Sequence, residues 1–557
     1  MDQTMPHPPK SEPPTDLRWL GVAEGSALLA AGRLSPLEWV DALLDQISRT
    51  GGPIAAFLHV AAGVAREQAR KAGRELTAGR RLGPLHGVPY ALKDLFDTAG
   101  MPTTGQSRYA MHRVPTTDAT VVAALRAGGA VLLGKLATHE FAHGGPSLDL
   151  PWPPARNPWN PDHFTGSSSS GSGAALAAGL VPMALGTDTG GSVRIPAGMC
   201  GVVGLKPTYG LVSRRGVLPL APCLDAVGPM ARTVGDVTMM LQAIANHDPA
   251  DPTSAQRAIS DYSSALIPNL RGITVGVARH TWETDVAAHP DAVAAMEASL
   301  TVLRDAGATL TEVQLRPLRQ YNDVRVIVQE PEAFALFQAA LVANASAFGH
   351  DFLGRILPGC LVPAYVQVQA QRQRRRMTDE MRRVLDGCNV LVCLGAGPAP
   401  RFDAPLTHGF RFGLWSDRPN LTSPFSVTGF PALSVCNGFA ANGLPLSMQI
   451  AARPFDEAAV LRVGHAYQCR TDWHLRHPKP LDSAGVRPIS LAPEPAVEPL
   501  DARTQSWVDT CLALAGLRPS DVQREQVQAV APQLLAMISR IEQDPDLTAE
   551  PASVFRP

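Results

Sequence analysis

The chain has 557 residues, 45% hydrophobic and 18% charged, with a formal net charge of −1. That length exceeds one ordinary core but suits a single large α/β domain with an appendage. Balanced charge without a long basic run excludes a surface built chiefly for phosphate backbones, so no nucleic acid is expected as a partner. None of the eight cysteines has CxxC spacing, which suggests neither a zinc knuckle nor a redox pair but free thiols in a reducing cytoplasm.

In chain order, MDQTMPHPPKSEPPTD is a proline-rich leader without an apolar core of signal-peptide length, and no run of bilayer length is apparent, so no membrane is expected. Leu17 to Ala31 and Pro36 to Arg49 have helical spacing, the second opening on Ser35, Pro36 and Glu38 as cap, N1 proline and early acid. A charged, alanine-rich helix follows from about Ala61 to Ala78. Val88 to Leu92 reads as a buried strand with Lys93 at its end, a place where α/β folds put chemistry. Asp118 should cap a helix through Arg126, followed by a strand from Ala130 to Leu133.

Thr165 to Tyr209 holds a serine- and glycine-crowded loop, a small-residue helix over Ala174 to Leu180, a strand over Val181 to Leu185, and a second glycine-rich turn ending on Ser192. Ser/Gly runs are usually linkers, but linkers do not lead directly into packing sequence. Further strands are predicted over Gly272 to Ala278, Val390 to Leu394, Leu433 to Cys436 and Ser447 to Ala451, and helices over Asp291 to Ala306, Tyr365 to Leu385 and Glu457 to Cys469. Helices alternating with short apolar strands imply an α/β fold, a mixed, largely parallel sheet covered by helices on both faces. QRQRRR at Gln371 to Arg376 reads as a solvated helix face. The expected organisation is a disordered leader over 1–16, a main domain over 17–478, a linker over 479–500 and a helical tail over 501–557. In the tail, Thr504 to Ala515 ends at Gly516, and Ser520 to Glu542 opens on a Ser520/Gln523 capping box. Val527, Val530, Leu534, Met537, Ile538 and Ile541 share one face of the second helix, which must lie on something apolar.

Ser192 follows Thr189, Gly190 and Gly191, so backbone N–H groups can converge near its hydroxyl, as half of an acyl-transfer site requires. There is no GxSxG elbow and no preferred histidine. A neutral lysine can serve as base, and Lys93 is the best placed. Keeping it neutral near pH 7 means lowering its pKa by about 3 units, a cost of roughly 4 kcal/mol. His139, Glu140 and His143 spell HExxH, the zincin signature, yet Gly144, Gly145 and Pro146 stop any helix one residue later. Gly134 and Lys135 lack the flanking residues of a phosphate loop. Neither metal nor organic cofactor is expected.

Four stretches, GPLHGVPYALKDLFDTAGMPTTG, DATVVAALRAGGAVLLGKLATHEFA, NPWNPDHFTGSSSSGSGAALAAG and ALGTDTGGSVRIPAGMCGVVGLKPTYG, resemble the amidase signature family over about Leu17 to Pro478, in the family's order. The resemblance implies a serine, cis-serine, lysine triad: Ser192 as nucleophile, Ser168 as bridging serine in a cis peptide, and Lys93 as base. The N–H groups of Thr189, Gly190, Gly191 and Ser192 would form the oxyanion hole, with Asp188 and Arg194 bracing it. Where the family usually has GGSSGGS, this chain has GSSSSGS, with Ser167 and Ser170 replacing glycines. Ser168 is preferred because it lies 24 residues before Ser192, the family's interval, and Ser169 is the alternative. Ser426 stands where asparagine is common. The tail faintly resembles the small C subunit of tRNA amidotransferases and the helical partners of some bacterial amidases.

The resulting expectation is a hydrolase that cleaves a C–N bond of a small-molecule amide, carbamate or urea-like substrate through an acyl-enzyme, acting as a homodimer. Alternatives are the A subunit of a glutamine-dependent tRNA amidotransferase, a ureido-acid hydrolase, and a non-catalytic binding protein on the same scaffold.

Overall fold

The computed structural model describes residues 16–404, 419–479, 481, 486–491, 496–543 and 551. The leader up to residue 15, much of the linker and the end of the tail lie outside these. Eleven strands form one sheet: β1 (Phe57–Val60), β2 (Pro89–Lys93), β3 (Val131–Leu136), β4 (Met183–Asp188), β5 (Val203–Lys206), β6 (Ala226–Ala231), β7 (Thr274–Val277), β8 (Thr309–Glu312), β9 (Val390–Leu394), β10 (Ala432–Phe439) and β11 (Pro445–Ala452). Their order is β1-β3-β2-β4-β6-β5-β10-β11-β9-β7-β8.

The sheet is mixed and flanked by helices, as the alternation of elements implied. Its parallel pairs sit on the two flanks, β3-β2-β4 and β8-β7-β9. The middle, from β4 through β6, β5, β10 and β11 to β9, is antiparallel, so parallel pairing takes a smaller share than helix–strand alternation suggests. The parallel β2/β4 register, Ala91 opposite Ala184 and Leu92 opposite Leu185, brings Lys93 and Thr187 to the same sheet edge. Both strands are buried along their whole length, which is why they read as unbroken apolar runs.

Three local expectations need correction. The helix Thr120–Ala127 has Ala119 as its N-cap, without a side-chain cap; Asp118 instead accepts from Ala99 N at 2.8 Å and from Arg126 at 3.0 Å. The helix over Leu318–Ala347 is long and apolar enough to cross a membrane, with mean hydropathy 1.3, though half of that window is buried inside the protein. It carries buried Asp323, Arg325 and Glu330 and serves as a core helix. The QRQRRR cluster is not simply a solvated face. Gln371, Gln373 and Arg374 are buried, and Arg374 donates to Val427 O at 2.7 Å and Cys223 O at 2.9 Å.

The tail forms two helices, Ala502–Leu514 and Asp521–Arg540, the second with the Ser520/Gln523 capping box in place. Val527, Val530, Leu534, Met537 and Ile541 are buried. This hairpin packs on the Leu318–Asn344 helix and on the segment from His350 to Leu361 of its own chain. Arg540 grips Asp323 through two hydrogen bonds, 2.6 and 2.9 Å, and Glu542 accepts from Arg316 at 2.9 Å and Arg376 at 3.0 Å.

Candidate active site

Lys93 ends β2 with its side chain wholly enclosed. Its Nζ lies 2.7 Å from Ser168 Oγ and 2.8 Å from Thr187 Oγ1. Burial pushes its ammonium down to about 7, against the opposing pull of the Asp188 and Asp225 carboxylates. At and above that pH the amine is largely neutral, the only state in which it can accept a proton. Thr187 was not foreseen; the parallel β2/β4 pairing brings it there, and spacing along the chain carries no signal of it.

Ser192 lies in the turn between β4 and the helix Arg194–Cys200. Pro196 sits in that helix's first turn, where a missing N–H costs nothing. Gly191 has φ +123, and a Cβ there would lie 2.3 Å from Thr422 Oγ1, so only glycine lets the chain reverse so close to a neighbour. Asp188 organises the turn. Its carboxylate accepts from Gly191 N at 2.8 Å, Val193 N at 3.2 Å and Arg194 N at 3.4 Å, and from the Arg194 side chain by two bonds of 3.0 Å. Burial alone would raise this carboxyl, but Arg194 and the converging N–H groups hold it below its ordinary range. Of the four N–H groups expected in the oxyanion hole, that of Gly191 is therefore committed to Asp188. Arg194 also donates to Thr422 O, Gln449 Oε1 and Ser426 Oγ at 3.0, 2.9 and 2.8 Å. Ser426, where the family commonly has asparagine, so braces the turn.

The serine loop departs from the expected arrangement. The peptide bonds among the described residues are all trans, so the cis peptide at Ser168 is absent. With this trans backbone, neighbouring serines reach different partners. Ser168 meets Lys93, whereas Ser167 Oγ lies 2.8 Å from Ser192 Oγ, and no hydrogen bond joins Ser168 to Ser192 among the described residues. Ser169, the alternative bridge, is occupied elsewhere: its Oγ lies 3.3 Å from both Thr187 N and Thr187 O, and its N–H donates to Ser192 O at 3.2 Å. A cavity of about 300 Å³, lined in part by Thr187, Thr189, Arg214, Leu218, Leu220 and Asp225, opens beside the turn. Thr189 Oγ1 donates to Asp225 at 2.5 Å.

The HExxH residues are not on a helix face. Glu140–Ala142 is one short 3₁₀ turn, with Phe141 at φ 47 and Ala142 at φ 63. His139 Nδ1 lies 2.6 Å from Gly144 O, Glu140 accepts from Ser107 and Gly349 N, and His143 Nε2 pairs with Glu330 at 2.9 Å. These side chains have structural partners in three directions.

The family profile described as Amidase matches residues 38–461. The chain belongs to the amidase family. Among its relatives, the A subunit of glutamyl-tRNA(Gln) amidotransferase from Chloroflexus aurantiacus (strain ATCC 29366 / DSM 635 / J-10-fl) is 38% identical over 489 residues, 84% of this chain and 99% of its own length. Among the solved structures similar to this amidase fold are two that illustrate its range. One is a vestigial protein complex described as revealing the evolutionary origins of an s-triazine catabolic enzyme, with TM-score 0.75 and 31% identity, covering 81% of this chain and 98% of that one. The other is the peptide amidase of Stenotrophomonas maltophilia, with TM-score 0.70 and 31% identity over 83% and 98%. The tail helices of this amidase lie beyond the residues that the family profile matches.

Proposed function

We propose that this amidase acts without a partner protein, hydrolysing the C–N bond of a small amide, carbamate or urea-like substrate through an acyl-enzyme on Ser192. The observation that carries the reading is the enclosed Lys93 amine, depressed to about 7, in contact with Ser168 beside the nucleophile turn. Neutral Lys93 accepts the Ser168 proton. Ser168 takes the proton of Ser192 as Ser192 Oγ turns from Ser167 and attacks the carbonyl carbon. The N–H groups of Thr189, Gly190 and Ser192 receive the developing oxyanion. Collapse of the tetrahedral intermediate breaks the C–N bond, with the proton returned through Ser168 to the leaving nitrogen. Water then repeats the sequence on the acyl-enzyme. The cavity beside Thr187 and Thr189 offers room for a small amine or acyl group. A cytoplasmic location and a homodimeric state belong to the same proposal, the first supported by eight free cysteines, the second open to light scattering.

The likeness to amidotransferase A subunits favours a second reading, in which the chain supplies ammonia within a complex. One experiment separates the two. The purified chain alone is offered glutamine, aryl amides, carbamates and ureido acids, and ammonia release is followed while a fluorophosphonate marks the reactive serine. Turnover without a partner, with label on Ser192, is expected. Activity appearing only with added partner proteins would favour the second reading, and label on another residue would remove Ser192.

A further inference from the structure

Thr189 opens the nucleophile turn, and its side chain is held from the opposite strand. The antiparallel β4/β6 register pairs Asp188 with Ala226, so the next residue out on each strand brings Thr189 to Asp225 at the sheet edge. Thr189 Oγ1 donates to Asp225 Oδ1 at 2.5 Å. Residues two apart share a face of a strand. Thr187, which touches Lys93, and Thr189 accordingly both line the cavity, whereas Asp188 between them is turned to Arg194. Asp225 lines the same cavity.

Asp225 is only 8% exposed. Leu220 N reaches its Oδ2 at 2.9 Å, and Ala221 N lies 3.1 and 3.2 Å from its two oxygens. Each of these contacts brings a donor, which fits the carboxylate and not the acid. Burial pushes the carboxyl up, while Arg214, Thr189 and the two N–H groups pull it back. The charges that act on Lys93 are those of Asp188 and Asp225; His139 also lies within reach, but burial pushes its imidazole down to about 3 and so keeps it neutral. Asp188 touches Arg194 at 3.0 Å, and that cation offsets its charge at a distance. Arg214, the cation facing Asp225, donates elsewhere, to Tyr209 Oη at 3.2 Å and Thr253 Oγ1 at 2.8 Å. The charge of Asp225 is therefore less completely cancelled than that of Asp188.

We infer that Asp225 is a positioning residue of this site: its carboxylate fixes Thr189, and with it one of the N–H groups that receive the oxyanion, and its negative charge makes Lys93 hold its proton to a higher pH. The inference rests on Lys93 and Ser192 as base and nucleophile. It is tested on the full chain by the second-order rate at which a fluorophosphonate labels Ser192, followed against pH, since that reaction uses the same base and puts a phosphoryl oxygen where the oxyanion forms. Wild type should show a limb that rises with pH and that Lys93→Ala removes. Asp225→Asn keeps the size and an acceptor but not the charge. Its plateau should fall about tenfold or more, and the midpoint of the limb should move to lower pH by roughly half a unit or more. A part in packing alone would slow labelling at every pH and leave the midpoint in place. Thr189→Val breaks the hydrogen bond and leaves the charge, so its plateau should fall about tenfold with the wild-type midpoint. Thr189→Ser, which keeps the donor, should recover most of that loss, and this pair decides the positioning even if Asp225→Asn does not fold. An unmoved or alkaline-shifted midpoint in Asp225→Asn, or equal plateaus in Thr189→Val and Thr189→Ser, would each overturn the assignment. A limb that persists in Lys93→Ala would instead overturn the base on which it rests, and label on another residue the nucleophile.

Discussion

Lys93 does two things that follow from one displaced ionisation. As the proposed base, its amine acts only when neutral, so kcat/KM should climb as pH rises through about 7 and level off above. Lys93→Ala should flatten that limb as well as lower the rate by orders of magnitude; profiles of wild type and variant that differ in height alone would remove Lys93 as the titrating base. The same shift acts on stability. An unfolded lysine titrates near its ordinary 10.5, so between about pH 7 and that value the unfolded chain holds a proton that the folded chain does not. Stability therefore rises with pH across this window, and the full penalty of charging a buried amine is felt below it. Lys93→Met should accordingly raise the melting temperature at pH 6 while abolishing turnover. A second test concerns the neighbouring serines. Because Ser168 touches Lys93, the proposed base, Ser168→Ala should lower kcat by about 10²- to 10⁴-fold, at least tenfold more than Ser167→Gly; the reverse order in steady-state rates would make Ser167 the bridge. Lys93 was legible because a lysine ending an apolar strand is anomalous. Which of four adjacent serines meets which partner was not, since hydroxyl direction in a loop depends on each peptide's orientation, and sequence does not encode that visibly.

Among the elements, the turn between β4 and the helix Arg194–Cys200 depends most on a single side chain. Arg194 satisfies Asp188 and ties it to Thr422, Gln449 and Ser426. Arg194→Ala would strand a buried carboxylate and should cost about 3 to 5 kcal/mol in urea denaturation, with a large fall in kcat; a loss below about 1 kcal/mol would show that the turn holds without it. The HExxH stretch should matter differently. With its three side chains engaged by Gly144, Ser107, Gly349 and Glu330, exhaustive chelation should leave kcat/KM unaltered, and stoichiometric zinc in active protein would reopen the motif. The apolar, β-branched strands were readable, while β1, β5, β6 and β8 were not. β6 contains Pro229 and Gly228 and still pairs on both sides, although its composition argues against a strand. The Leu318–Asn344 helix escaped notice because Val324, Val326, Ile327 and Val328 are all buried. A helix covered on several sides has no polar stripe to reveal its 3.6-residue period, and Pro331 within it reads as a break.

For the whole molecule, the tail is the feature with the widest reach. Its apolar face was legible from periodicity, but the surface it covers was not, because that surface is the unrecognised Leu318–Asn344 helix. Leu534 is fully enclosed there, and Leu534→Ala should weaken docking by about 2 to 5 kcal/mol. Proteolysis should then remove the tail ahead of the main body. A chain stopped after Pro478 should aggregate or melt earlier, since it uncovers apolar surface on the Leu318–Asn344 helix; an unchanged melting curve would make the tail dispensable. The docked hairpin is also held by charge: Arg540 grips Asp323 on the Leu318–Asn344 helix.

That arrangement has a consequence for how the protein behaves on dilution. A helical hairpin supplied as a separate polypeptide would leave its seat once its concentration fell below its dissociation constant. Joined to the main body in one chain, it meets its seat at an effective concentration on the order of millimolar, whatever the amount of protein in solution. Its ratio to the main body is fixed at one by translation. Specific activity that falls on dilution would therefore report an equilibrium other than the seating of this arm.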